Sequence, residues 1–176
     1  GVGGALIGAG GVLLSLLKHP LTATGSDRGS NLLWSRELEL HLRRHGPAFP
    51  DPASVLSWAK NGSDAQRSWA GWVSGWMEDI LTVAPKDAGE WAVALTEVAN
   101  RISSGPEGGA GTVWDGQAGT QARRLVSSIA TERGTGPQLD APAFRDLLTR
   151  LLSAAAEREG MTSKATNSRF KGRSSR

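Results

Sequence analysis

Trp34, Leu38 and Leu42 stand four residues apart with Arg36, Glu39 and Arg43 among them, so a helix over roughly 30–45 has one apolar stripe and charged flanks. The same period returns at Trp69, Trp72, Val73, Trp76 and Ile80, and again at Trp91, Leu95, Val98 and Ile102. Two more stripes follow, Ala118, Ala122, Leu125 and Ile129, then Phe144, Leu147, Leu148, Leu151 and Leu152. Val12 to Lys18 is a shorter apolar run that ends at His19-Pro20, because proline drives the residue before it out of the α region. Asp51-Pro52 opens a short helix that Asn61-Gly62 closes, and Ser63-Asp64 caps the next. No segment alternates with period two, so the pattern predicts an all-α fold, an irregular bundle of about six to seven helices.

Punctuation sharpens the boundaries. Arg43, Arg44 and His45 suit the negative end of a helix dipole, Gly46 can take a left-handed cap, and Pro47 prevents continuation. Thr22 to Ser30 and Gly105 to Gly111 read as loops, the second a flexible one, and the two are too unlike each other to belong to a repeat. The expected organisation is a Gly-rich irregular start over 1–11, a helical domain over 12–160 and a basic disordered tail over 161–176.

Charge separates that tail from the body. Of 20 Lys and Arg, five (Lys164, Arg169, Lys171, Arg173 and Arg176) lie in Met161 to Arg176, which contains no acid, so the preceding 160 residues are slightly acidic. There is no cysteine, which removes disulfides, thiolate zinc sites and iron–sulfur ligation from this chain and suits a reducing compartment, with the cytoplasm as the expected location. The longest apolar run is too short to span a bilayer as a helix, and the apolar start lacks the basic residues and cleavage pattern of a signal peptide, so no membrane partner is expected.

Chemical motifs are sparse. Ser57 and Lys60 match an S-x-x-K pattern without the companion motifs of penicillin-recognising enzymes, and such a hydrolase would need the pair buried together. His41 and His45 have a metal-ligating i, i+4 spacing, but Leu42 occupies the place of the zincin glutamate and no third ligand is evident. The glycines of the first eleven residues fit no phosphate-loop spacing, and Asn61-Gly62-Ser63 reads as a helix stop and cap rather than a glycosylation site. Tryptophans on a shared helical face are expected to be buried rather than free to stack on bases. No catalytic, cofactor or metal residue is assigned.

The stretch "LLKHPLTATGSDRGSNLLWSRELELHLRRHGPAFPD", Leu16 to Asp51, resembles the middle of AddB, the second subunit of the bacterial helicase–nuclease that processes broken DNA ends, in its alphaproteobacterial form. The carriers are Leu16 to Leu21, the Trp34 to Leu40 helix, Leu42-Arg43-Arg44, Gly46-Pro47 and Phe49-Pro50-Asp51. The Trp-rich helix around 69–76 and "FRDLLTRLLSAAAEREG" are compatible with that family but less diagnostic. Gly1 to Gly11 and Met161 to Arg176 depart from the family pattern, which suggests a truncated or frameshifted internal fragment.

The resemblance implies a helicase-inserted helical subdomain that serves as scaffold, lying upstream of a "GLNEG"-like motif. The parent family is an ATP-dependent helicase and exonuclease using ATP, magnesium and an iron–sulfur cluster, and its motifs for these match no position here. Implied partners are an AddA-like helicase–nuclease subunit, in a heterodimer, and single-stranded DNA or a duplex end. Lys18, Arg36, Arg43 and Arg44 are the candidate phosphate contacts, holding a strand without reading bases. The alternative is a small helical protein-interaction or regulatory protein that binds no nucleic acid.

Overall fold

The structure, a computed structural model, describes residues 9–47 and 50–171. Seven helices and no strand occur among these residues: α1 (Ala9–Lys18), α2 (Arg28–His45), α3 (Pro52–Ala59), α4 (Asp64–Leu81), α5 (Ala88–Ser104), α6 (Gly116–Thr131) and α7 (Ala141–Lys171). The only bridge of β type among them is the isolated pair Lys86 and Leu139. The expected all-α class therefore holds. The chain divides into two compact units, Gly1–Val83 with Ala94–Asp115 and Ala84–Val93 with Gly116–Arg176, where one helical domain was expected over 12–160. Helix α5 contributes its first residues to the second unit and the remainder to the first.

Several boundaries move for identifiable reasons. Helix α1 begins at Ala9, inside the stretch expected to be irregular, and residues 1–8 of that stretch lie outside the described residues. Helix α2 begins two residues before Ser30, because Asp27 Oδ1 accepts the amides of Gly29 (3.0 Å) and Ser30 (3.3 Å) and acts as its N-cap. At the other end Gly46 is extended, φ −80° and ψ 158°, not left-handed. Pro47 imposes that conformation on the residue before it, so the helix leaves straight into the loop. The segment from Met161 to Lys171, expected to be a disordered tail, continues α7, while residues 172–176 lie outside the described residues.

In the first unit the core gathers Leu17 from α1, Leu38 from α2, Val55 and Ala59 from α3, Trp69, Val73 and Trp76 from α4 and Ile102 from α5. The indoles are buried as expected, with Trp69 and Trp76 each 1% and Trp72 8% exposed. Trp58, Trp69, Trp72 and Trp76 form a row of neighbours with ring centroids 5.8, 6.4 and 6.0 Å apart, two of the three contacts edge to face. Ile80, expected on this stripe, is 42% exposed, and Met77 is buried instead. The buried face of α2 runs through Asn31, Ser35 and Leu38, with Trp34 and Leu42 partly covered at its edges.

Two of those residues are polar, and the side chains of both are hydrogen-bonded. Asn31 Nδ2 donates to the Leu17 carbonyl (2.9 Å), Trp69 Nε1 donates to Asn31 Oδ1 (3.0 Å), and the Ser35 hydroxyl donates to the Asn31 carbonyl (2.7 Å). The carboxamide thus ties α1, α2 and α4 together in the apolar centre. The loop expected to be flexible is held too. Ala23 N donates to Ile102 O (2.9 Å), Gly25 N to Ser103 O (3.1 Å), and Thr112 N to Thr24 Oγ1 (2.8 Å). Ser26 Oγ donates to Ser104 O (2.7 Å) and accepts Glu107 N (3.3 Å), so the Thr22 and Gly105 loops are stitched side by side.

The second unit is organised around the start of α5. Asp87 and Glu90 form a reciprocal capping box, Glu90 N donating to Asp87 Oδ1 (2.9 Å) and Asp87 N to Glu90 Oε2 (3.1 Å). The remaining carboxylate oxygen of Asp87 accepts Gly134 N (2.8 Å) from the turn after α6. Trp91 donates to the Leu139 carbonyl (2.8 Å) and stacks on Phe144 at 5.6 Å, with Lys86 Nζ 4.8 Å from its ring centroid. Val126, rather than Ala118, is the buried residue of α6, and Leu152 of the expected α7 stripe is exposed.

Candidate nucleic-acid interface

The four expected phosphate contacts lie on α1 and α2, and the structure sorts them into two pairs. Lys18 sits in the last turn of α1 and Arg43 in the last turn of α2, both positions that a helix dipole favours for cations. Each is bound to the same carboxylate. Glu39 Oε2 accepts Lys18 Nζ, and Glu39 Oε1 accepts Arg43 Nη2 at 2.6 Å, one turn along the helix. Glu39 is only 17% exposed at its side chain, and the Lys18 ammonium, followed by the guanidinium of Arg43, holds its carboxyl below the ordinary carboxylate range. Lys18 and Arg43 are thus internally compensated, and a phosphate must compete with Glu39 for them.

Arg36 and Arg44 differ. Both are exposed, and neither forms an ion pair with a described residue. At 100° per residue, Leu33, Leu40 and Arg44 fall within a narrow solvent-facing sector of α2, with Arg36 on one flank and Glu37 on the other. Leu33 is 52% and Leu40 41% exposed, so this face alternates long cations with uncovered leucines. Arg36 and Arg44 are forked donors free to meet a phosphate bidentately, next to apolar side chains that suit the flat surfaces of a partner or of bases.

A fifth cation, Arg28, has a structural task that its sequence context does not announce. Arg28 donates to the carbonyls of His19 (2.9 Å), Thr22 (2.8 Å) and Lys18 (3.3 Å), closing the C-terminal end of α1. The only sequence signal is a basic residue in a Gly/Ser loop shortly after a helix stopped by proline.

The other candidate motifs separate. Ser57 and Lys60 are both exposed, and the Lys60 amide donates to the Ser57 carbonyl (3.3 Å), a backbone contact, so the buried pair required of an S-x-x-K hydrolase is not formed. His41 and His45 have ring centroids 5.7 Å apart with tilted planes. Among the described residues no group of three His, Cys, Asp or Glu side chains could hold a metal ion. No described helix is long and apolar enough to cross a membrane. No family model matches the sequence, and neither a curated protein nor a solved structure matches it.

Proposed function

We propose that this chain is a non-catalytic helical scaffold of the kind the AddB resemblance implies, contacting a DNA strand and an AddA-like partner through α2. One observation carries the reading: Arg36 and Arg44 are exposed without a carboxylate partner among the described residues, on a helix that bears part of the resemblance. Their guanidinium groups bind successive phosphates and hold a strand in register, while Lys18 and Arg43 exchange Glu39 for phosphate only as a strand approaches. With no cysteine in the chain, an iron–sulfur cluster has no ligands in this segment, and ATP and magnesium chemistry belongs to other parts of such a parent.

Binding of the chain to fluorescent single-stranded and duplex oligonucleotides across a salt series tests this. Each phosphate contact on a single strand contributes about 0.7 to the salt slope, or about fivefold in affinity near 0.1 M salt. Arg36→Ala/Arg44→Ala is therefore expected to weaken binding about 25-fold and to flatten the slope by about 1.4. Affinity and slope unchanged in the double variant overturn the assignment. Sequencing the flanking coding region tests the parentage separately: a nucleotide loop upstream and a cysteine-ligated nuclease downstream support it, and an isolated frame removes it.

The exposed Leu33 and Leu40 favour a second reading, a small interaction protein. It predicts a partner whose binding is insensitive to salt and is lost in Leu33→Ser/Leu40→Ser, with no affinity for either oligonucleotide.

A further inference from the structure

The chain has three histidines and no cysteine, so the side chains best suited to borderline transition-metal ions are the imidazoles of His19, His41 and His45. The fold gives the first of them a local task. His19 Nδ1 accepts the Leu21 amide (3.2 Å) in the turn after α1. The other two lie near the C-terminal end of α2, where a spacing of four residues sets one side chain above the other.

Spacing alone does not say whether two such rings meet. Here their centroids are 5.7 Å apart with the planes tilted by 53°, and neither imidazole has a hydrogen bond among the described residues. Two imidazoles on one tetrahedral ion, with metal–nitrogen bonds of about 2.0–2.1 Å, have centroids roughly 5 Å apart, so a small side-chain rotation closes the pair. His41 is half-buried and His45 exposed, which puts the open side of the pair in water. The surrounding charge pulls both ways. The carbonyl end of α2 and the exposed Glu37, one turn before His41, favour a cation, whereas Arg44, about 60° round the helix from His41, opposes it.

We propose that His41 and His45 form a two-imidazole chelate for a divalent transition-metal ion of the zinc, nickel and copper class. Magnesium and calcium are poor occupants, because they take oxygen ligands. Among the described residues no third His, Cys, Asp or Glu side chain completes the set, so water fills the remaining positions. The ion joins residues one turn apart and clamps the end of α2. There the Gly46 amide donates to the Leu42 carbonyl (3.1 Å) before Pro47 leads the chain away. The site does not depend on whether α2 contacts DNA.

Titration of the full chain with zinc chloride alone, followed by calorimetry and by thermal unfolding, tests the proposal. Binding of a single ion per chain is expected. The unfolding midpoint should climb with zinc concentration, because an ion held by the folded pair stabilises the fold by mass action. Copper(II) should bind more tightly than zinc, and magnesium should give no response. His41→Gln and His45→Gln should each lose the zinc response, and His19→Gln should keep it. Amide hydrogen exchange adds a readout at the clamp itself: zinc should slow exchange at His45 and Gly46 in the parent chain and in neither α2 variant. His45 is exposed, so circular dichroism of His45→Gln should match the parent and a lost response cannot be laid to unfolding. A parent chain indifferent to zinc overturns the proposal, as does a response that survives in His45→Gln or disappears in His19→Gln.

Discussion

Trp69 and Trp76 occupy equivalent turns of α4 and are equally buried, yet their indole nitrogens meet different surroundings. Trp69 Nε1 donates to Asn31, whereas Trp76 Nε1 has no acceptor among the described residues. A buried donor or acceptor without a partner costs about 1–3 kcal/mol. Trp69→Phe strands the Asn31 oxygen in the core, while Trp76→Phe removes a donor that is already stranded. Chemical denaturation should therefore find Trp69→Phe the more destabilising by about 1 kcal/mol or more, although both lose similar ring volume; the reverse order would contradict this account. The Trp residues were legible as core from their spacing. Asn31 was not, because an Asn on a helix reads as solvent-facing until a carbonyl of α1 and an indole of α4 converge on it.

At the scale of elements, the termini carry the acid sensitivity. Hydrogen bonds from Ser30 to Asp27 and from Ser54 to Asp51 hold these N-cap carboxyls below their usual values, and the Glu90 amide, with help from the Gly134 amide, does the same for Asp87. A carboxyl whose folded value is depressed stabilises the fold fully above its unfolded value, about 3.9 for Asp, and loses that contribution as pH falls through the lower folded value. Stability is thus expected to be level near neutrality and to fall steadily below about pH 4, and Asp87→Asn should flatten part of that fall. Equilibrium unfolding measured across this range checks the sign: stability rising on acidification would be incompatible with the caps. Asp51-Pro52 and Ser63-Asp64 announced their helices locally. The Asp87 box lay hidden because its third partner, Gly134, is forty-seven residues away.

On the scale of the molecule, loops decide what helices leave open. Gly25 and Gly109 come so close that a methyl group at 109 would stand 1.9 Å from the Gly25 carbonyl oxygen. Gly89 is pressed in the same way against the backbone of Arg133, 2.5 Å from where its Cβ would lie. Gly109→Ala should cost about 3 kcal/mol by overpacking two backbones, with no change of helix content before the unfolding transition. A thermal melt indistinguishable from that of the parent chain would show that the two loops are not clasped. The division into two units was invisible in the sequence, since α5 runs across their boundary without a break in its apolar period.

Amphipathic spacing, proline stops and Asp or Ser caps are interactions within one or two turns, so the chain alone determined its helices, most of their ends and the burial of Trp69, Trp72, Trp76 and Trp91. Tertiary structure alone decided the rest. It buried Asn31 and Ser35, joined the Thr22 loop to the Gly105 loop, and paired Lys18 and Arg43 with Glu39 while leaving Arg36 and Arg44 without an ion pair among the described residues. Those outcomes turn on which distant carbonyl, carboxylate or backbone a side chain meets, and only the packed fold supplies such partners.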